Sequence, residues 1–243
     1  MLAVVVGSAF DSWPDLEVVR TRRANTEWGE PSGVVQQGRL GNRELLVLRR
    51  HGDGGRLLPH DINYRANIAA LKALGATQVV SLNVVGGIAA QMSPGALLVP
   101  DQLIDYTWGR AHTFADPDVG MRGHVDFTEP YCAVLRERLL RAGRLADVDL
   151  IDGAVYGVTQ GPRLETRAEV ARCARDGVDV VGMTGMPEAA LAREAGLGYV
   201  SLCSVVNWAA GISSELITLS AIEHVMRTQA ALIQRCLRYL SSI

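Results

Sequence analysis

The sequence predicts an α/β protein built as one three-layer domain. Two observations lead there. Several continuous Val/Ile/Leu runs have the character of strands covered on both faces. Helical patterns alternate with them, which is the order of a sheet sandwiched between helices. The chain has 243 residues, 48% of them apolar and 21% charged, long and apolar enough for one substantial core. No repeat or low-complexity linker divides it, so residues 1–243 read as a single domain.

In chain order, strands are expected at Leu2–Val6, Gly33–Gln37, Glu44–Arg49, Gln78–Asn83, Ala96–Pro100, Gly153–Thr159, Val178–Val181 and Gly198–Val206. Between Pro59 and Gly75, the residues Tyr64, Ile68, Leu71 and Leu74 recur at helical spacing, and Gly75 is a natural stop. Thr166–Ala174 and Pro187–Gly196 also read as helices. Pro187 suits a first turn, and Glu188 there complements the helix dipole. The last helix is marked by one apolar stripe through Leu219, Ile222, Met226, Ala230, Ile233, Leu237 and Leu240.

Composition narrows the function. A formal net charge of −2 argues against a nucleic-acid binder that relies on bulk positive charge. Lys72 is the one lysine beside 23 arginines, and it sits inside a helical pattern, which disfavours Schiff-base catalysis. The four cysteines, Cys132, Cys173, Cys203 and Cys236, form no CxxC pair, so reduced and mostly buried thiols are expected. Met1–Ser8 is apolar but too short for a membrane span and lacks a basic n-region, which predicts a cytoplasmic protein with no membrane partner. Gly7 alone does not make a dinucleotide fingerprint, and no phosphate loop, GxSxG elbow or histidine metal spacing is present. No metal site is expected.

Polar and glycine residues instead cluster where apolar strands end. Arg49-Arg50-His51-Gly52 suits an oxyanion through arginine forks and approachable backbone amides, although a solvated turn would look the same. Asn83-Val84-Val85-Gly86-Gly87 permits close ligand approach or a plain turn. In Gly182-Met183-Thr184-Gly185-Met186-Pro187-Glu188 a strand enters a helix whose N-terminus could receive an anion; Thr184 could equally be a cap. Glu165 fits a first helical turn, and Asn207 either reads a heterocycle with its donor and acceptor or starts a turn. Together these residues sit where open α/β sheets bind ligands.

Three stretches in this order are the most specific: Arg50-His51-Gly52 followed by Pro59 and Asn63-Tyr64-Arg65-Ala66-Asn67; Gly161-Pro162-Arg163; and Gly182-Met183-Thr184 with Met186-Pro187-Glu188. With them, nearly the whole chain resembles the trimeric purine nucleoside phosphorylase and methylthioadenosine phosphorylase superfamily. The resemblance implies a mixed central β-sheet of the nucleoside phosphorylase type. It implies cleavage of a nucleoside by inorganic phosphate, a co-substrate, with no cofactor. It also implies a homotrimer.

By position, the resemblance assigns phosphate to Ser8, Arg50, His51, Thr184 and the Val84 backbone, and the underside of the ribose to Met183. Glu165 matches a glutamate that 6-oxopurine enzymes use to accept N1–H. Asn207 stands where adenine-selective relatives have an aspartate, and an amide can accept from N7–H and donate to O6. Leu164 replaces a stacking phenylalanine. Asn207, Glu165 and His51 are thus the expected catalytic residues. Ile222 falls where purine nucleoside phosphorylases place a histidine for the 5′-hydroxyl; a short gap in the alignment leaves His224 as an alternative. An apolar 5′ pocket favours a methylthio group, because it would leave a hydroxyl unpaired. His124 matches a histidine that relatives lend to a neighbouring subunit. The substrate meeting all these demands is 5′-methylthioinosine. The alternatives are an inosine/guanosine phosphorylase, a methylthioadenosine phosphorylase, or a nucleoside-binding protein without catalysis.

Overall fold

The computed structural model describes residues 1–7, 13–115 and 124–242. Ser8 lies outside them. The strands are β1 (Leu2–Val6), β2 (Glu17–Arg22), β3 (Val35–Leu40), β4 (Arg43–Arg49), β5 (Gln78–Gly87), β6 (Leu97–Val99), β7 (Gln102–Asp105), β8 (Ile151–Asp152), β9 (Val155–Val158), β10 (Val180–Gly182) and β11 (Gly198–Trp208). The helices are α1 (Tyr64–Ala73), α2 (Ala133–Leu145), α3 (Arg167–Arg175), α4 (Glu188–Glu194) and α5 (Leu219–Leu240).

All eleven strands join one mixed sheet, as the resemblance implies. The strands β4, β1, β5 and β11 run parallel. β10 pairs antiparallel with the end of β5, and β9 and β7 follow β10's direction. Alternate residues of the buried strands feed opposite faces, as the strand period requires. On one face Ala3, Val5, Val79 and Cys203 pack with Ile68 and Leu71 of α1 and Leu191 of α4. On the other, Val4, Val6, Val80 and Leu202 pack with Leu135 and Leu139 of α2 and Ile233 and Leu237 of α5. These are the three expected layers.

Local chemistry fixes the helix ends. Asn63 caps α1 by accepting from Ala66 N, and Gly75 beyond its end has φ +91°. Thr166 and Glu169 form a capping box on α3, and Thr218 caps α5. Several expectations change, and β2 and β7 fall where no strand was expected. Pro187 stands just before α4 as its cap residue rather than within the helix. In α5 the stripe begins late: Leu219 is 78% exposed, and the buried face starts at Gln229. Gln229 bonds Ser204 and the Gly95 carbonyl, so a polar residue ties α5 to β11. Finally, α2 falls where no element was expected, because four arginines in thirteen residues interrupt its apolar positions.

The edge of β5 is the feature that matters for function. β1 pairs with it over residues 78–81, and β10 joins only at Gly86 and Gly87. Among the described residues no strand is registered against residues 82–85 on that edge. The guanidinium of Arg50 fills part of the gap. Its Nη2 donates to Val5 O (3.0 Å), Leu82 O (2.9 Å) and Ser81 Oγ (2.9 Å). Glu188 Oε1 lies 3.5 Å from Arg50 Nη1 and accepts from Ser81 Oγ (2.6 Å) and Tyr199 OH (2.9 Å). Both charged side chains are fully buried. Removing one partner of such a pair strands the other charge. Glu188→Ala should therefore destabilise the fold by about 3–5 kcal/mol, read as a fall in the urea midpoint at unchanged slope.

Candidate active site

A cavity opens over the gap, walled by the ends of β1, β5, β10 and β11, the turn before α3, and the start of α5. It lies where the two strand directions of the sheet meet. Of the residues expected to bind ligand, it gathers His51, Val84, Leu164, Glu165, Met183, Thr184, Asn207 and Ile222.

One end holds His51, Thr184, Val84 and Gly7. Thr184 Oγ1 is 3.0 Å from the Asn83 side-chain amide. With that amide turned to satisfy every neighbour, Asn83 Oδ1 accepts from Thr184 Oγ1 and from Arg50 Nη1, at 3.0 and 3.1 Å. Arg50 therefore differs from the expectation. It does not line the cavity; it lies behind the wall and reaches Thr184 through Asn83. The helix N-terminus differs too. The first residue of α4, Glu188, faces Arg50 in the interior, so the polar end of the cavity rests on side chains and strand backbone. His51 Nδ1 is 2.8 Å from Leu57 O. Burial pushes the His51 pKa below its ordinary value; the Leu57 bond opposes this and the Arg50 charge adds to it. A neutral ring donating from Nδ1 leaves a lone pair on Nε2, able to accept a proton held by an oxyanion.

Asn207 and Glu165 also line the cavity. Asn207 follows a bulge: Val205 pairs with Val85, but Asn207 pairs with Gly86, so Val206 is the extra residue that re-aims the strand end. Asn207 Nδ2 donates to Trp208 O at 2.7 Å, which leaves Oδ1 and the second amide hydrogen for a ligand. Glu165 sits in the turn before α3. Arg163 grips Glu169 with two 2.8 Å bonds, and Thr166 N donates to the same carboxylate at 2.7 Å. Arg163, with that backbone bond, holds the Glu169 pKa down at about 2. Gly161 in the same turn has φ +62°, and a Cβ there would lie 2.5 Å from Met183 Sδ, so only glycine lets this wall close on Met183.

Half-buried Ile217 and Ile222 add apolar surface to the lining. His224 is exposed and lies outside the lining, as does His124. Among the described residues no cluster of three or more His, Cys, Asp or Glu side chains is placed to hold a metal ion.

Sequence reasoning missed Arg110. Its guanidinium donates to Met183 O (2.9 Å), Met186 O (2.6 Å) and Gln160 O (2.7 Å), and it lies over the Tyr64 ring. It thereby clamps the Met183 wall to the Glu165 wall. Nothing in a lone Arg110-Ala111-His112 segment marks it in the sequence.

The geometry agrees with the relatives of this chain. A model described as "Phosphorylase superfamily" matches residues 2–242. A Xanthomonas campestris protein named "Probable S-methyl-5'-thioinosine phosphorylase" is 52% identical over 210 residues, 86% of this chain and 84% of that protein. The "6-oxopurine nucleoside phosphorylase" of Pyrococcus furiosus is 39% identical over 234 residues, covering 94% and 87% of the two chains. Among solved structures, the methylthioadenosine phosphorylase of Schistosoma mansoni in complex with adenine superposes with a TM-score of 0.93. It is 31% identical, and the match covers 99% of this chain and 90% of that one.

The histidine gives a prediction with a fixed sign. A folded-state pKa below the unfolded value near 6.5 contributes stability that is complete above 6.5 and is lost as pH falls through the lowered value. Between about pH 7.5 and about pH 5 the wild type should therefore lose more thermal stability than His51→Gln. Parallel melts of the two proteins check this.

Proposed function

The chain belongs to the phosphorylase superfamily, and on that premise we propose that it is a pentosyltransferase that cleaves 5′-methylthioinosine with inorganic phosphate, releasing hypoxanthine and 5-methylthioribose 1-phosphate. The observation that carries this reading is one cavity whose lining joins a carboxylate, Glu165, an amide, Asn207, and two isoleucines, Ile217 and Ile222. Glu165 can accept from the N1–H that only a 6-oxopurine presents. Asn207 can accept from N7–H with Oδ1 and donate to O6 with its free amide hydrogen. Ile217 and Ile222 suit a methylthio group and would leave a 5′-hydroxyl without a partner. The backbone likeness to a methylthioadenosine phosphorylase fits the sugar side of this reading, and the likeness to a 6-oxopurine phosphorylase fits the base side.

In the proposed reaction the C1′–N9 bond breaks and its electron pair passes to the purine, which takes up at N7 the proton that hydrogen phosphate gives up through solvent and is stabilised as N7–H by Asn207. Phosphate, held by Thr184, His51, the Val84 backbone and Ser8, attacks C1′ from the opposite face. Arg50 acts from behind the wall, fixing Asn83 and adding positive charge below the anion. Met183 packs under the ribose and Leu164 against the base. Catalysis is orientation and charge stabilisation without a covalent enzyme intermediate or a cofactor. The reading takes residues 1–243 as one domain of a cytoplasmic homotrimer, in which exposed His124 completes a neighbour's 5′ pocket.

Phosphate-dependent base release from methylthioinosine, methylthioadenosine, inosine and adenosine tests the reading side by side. Methylthioinosine should be turned over best, and no base should appear without phosphate. Preference for inosine would overturn the 5′ assignment, and preference for methylthioadenosine the base assignment. Asn207→Ala should lower kcat/KM for methylthioinosine by about 100-fold or more. Asn207→Asp should move the preference toward 6-aminopurines, since a carboxylate cannot donate to O6.

A further inference from the structure

Glu165 borders two cavities. One is the cavity described above. The other is lined by Trp108, Thr159, Arg163, Glu169 and Arg172 among others. Arg163 is already taken by Glu169 and Arg172 pairs with Asp176, so neither cation fixes Glu165. For Glu165 to read N1–H, a carboxylate that borders two cavities must have its direction set by another group.

The structure supplies one tether. Thr159 Oγ1 donates to Glu165 Oε1 at 2.5 Å, the short distance typical of a hydroxyl on a carboxylate. Among the described residues this is the hydrogen bond that Glu165 makes. The Thr159 hydroxyl is not needed to hold its own backbone, because Thr159 N already donates to Gly182 O at 2.8 Å. Gly182 O also lies 3.3 Å from Oγ1, so an alternative acceptor is near and the hydroxyl lies much closer to the carboxylate. With Oε1 engaged, Oε2 is left to accept.

We infer that Thr159 is a specificity-determining positioning residue: its hydroxyl holds Glu165 in the base site as an acceptor and so favours purines that carry N1–H. This rests on the base reading proposed above. A 6-aminopurine has no hydrogen on N1 and gains nothing from the tether, so the effect is selective. A residue that merely supported the fold would affect both base classes alike.

Thr159→Val keeps the shape and backbone bonds and removes only the hydroxyl. The test compares kcat/KM for methylthioinosine and methylthioadenosine in wild type, Thr159→Val and Thr159→Ser. The valine variant should lose about 10-fold or more on methylthioinosine, with methylthioadenosine nearly unchanged, and serine should restore the wild-type ratio. Thr159→Ala provides the same comparison if the valine variant does not fold. A wild type that prefers methylthioinosine, with the same ratio in the hydroxyl-free variant, overturns the role of Thr159 alone. Equal losses on both substrates overturn it as well. A wild type that prefers methylthioadenosine overturns the base reading and this inference with it, and that is seen before any variant is made.

Discussion

A buried guanidinium in a gap of the sheet is the constraint on which the site depends. Arg50 is fully buried, so its charge must be met by protein. It is met by carbonyls of β1 and β5, by Ser81, and by Glu188 at the start of α4. Those partners lie in separate parts of the chain, and satisfying one arginine fixes how they meet. The unpaired edge of β5 is thereby kept open without leaving every polar group orphaned. The cavity is the space on the other side of that arrangement.

Arg110 does for the upper walls what Arg50 does for the floor. It binds three carbonyls from two loops that share no strand pairing at those residues. Both arginines act by geometry as much as by charge, because a planar fork with five donors can hold several acceptors at once. Lysine could not substitute for either, since a point charge lacks the fork. A chain with one lysine and 23 arginines is suited to such clamps.

Most of the layered fold was legible because buried parallel strands read as continuous apolar runs, and β1, β4, β5 and β11 do. β2 was not legible: it is an edge strand with every residue exposed, so no burial pattern is written into Glu17–Arg22. α2 was hidden by four arginines among its apolar positions, two of them half-buried against the sheet, although Leu135 and Leu139 keep the helical spacing. In the site, His51, Met183, Thr184, Glu165 and Asn207 were found because each ends a strand or opens a helix. The position of Arg50 behind the wall was not, since sequence order says nothing of which way a guanidinium turns. The bulge at Val206 escaped for a similar reason: it is a matter of register between strands distant in sequence.

The cavity draws Gly7 from the first strand and Ile222 from the last helix, with the remaining walls contributed from between them. As the chain leaves the ribosome, no binding-competent intermediate can form before nearly all of it has emerged. β5 must wait for β11 to pair along its length, a closure across more than a hundred residues. A ligand in this cavity consequently recognises only chains in which these distant segments have come together. Occupancy would pull the folding equilibrium of the whole sheet, rather than shielding one local segment.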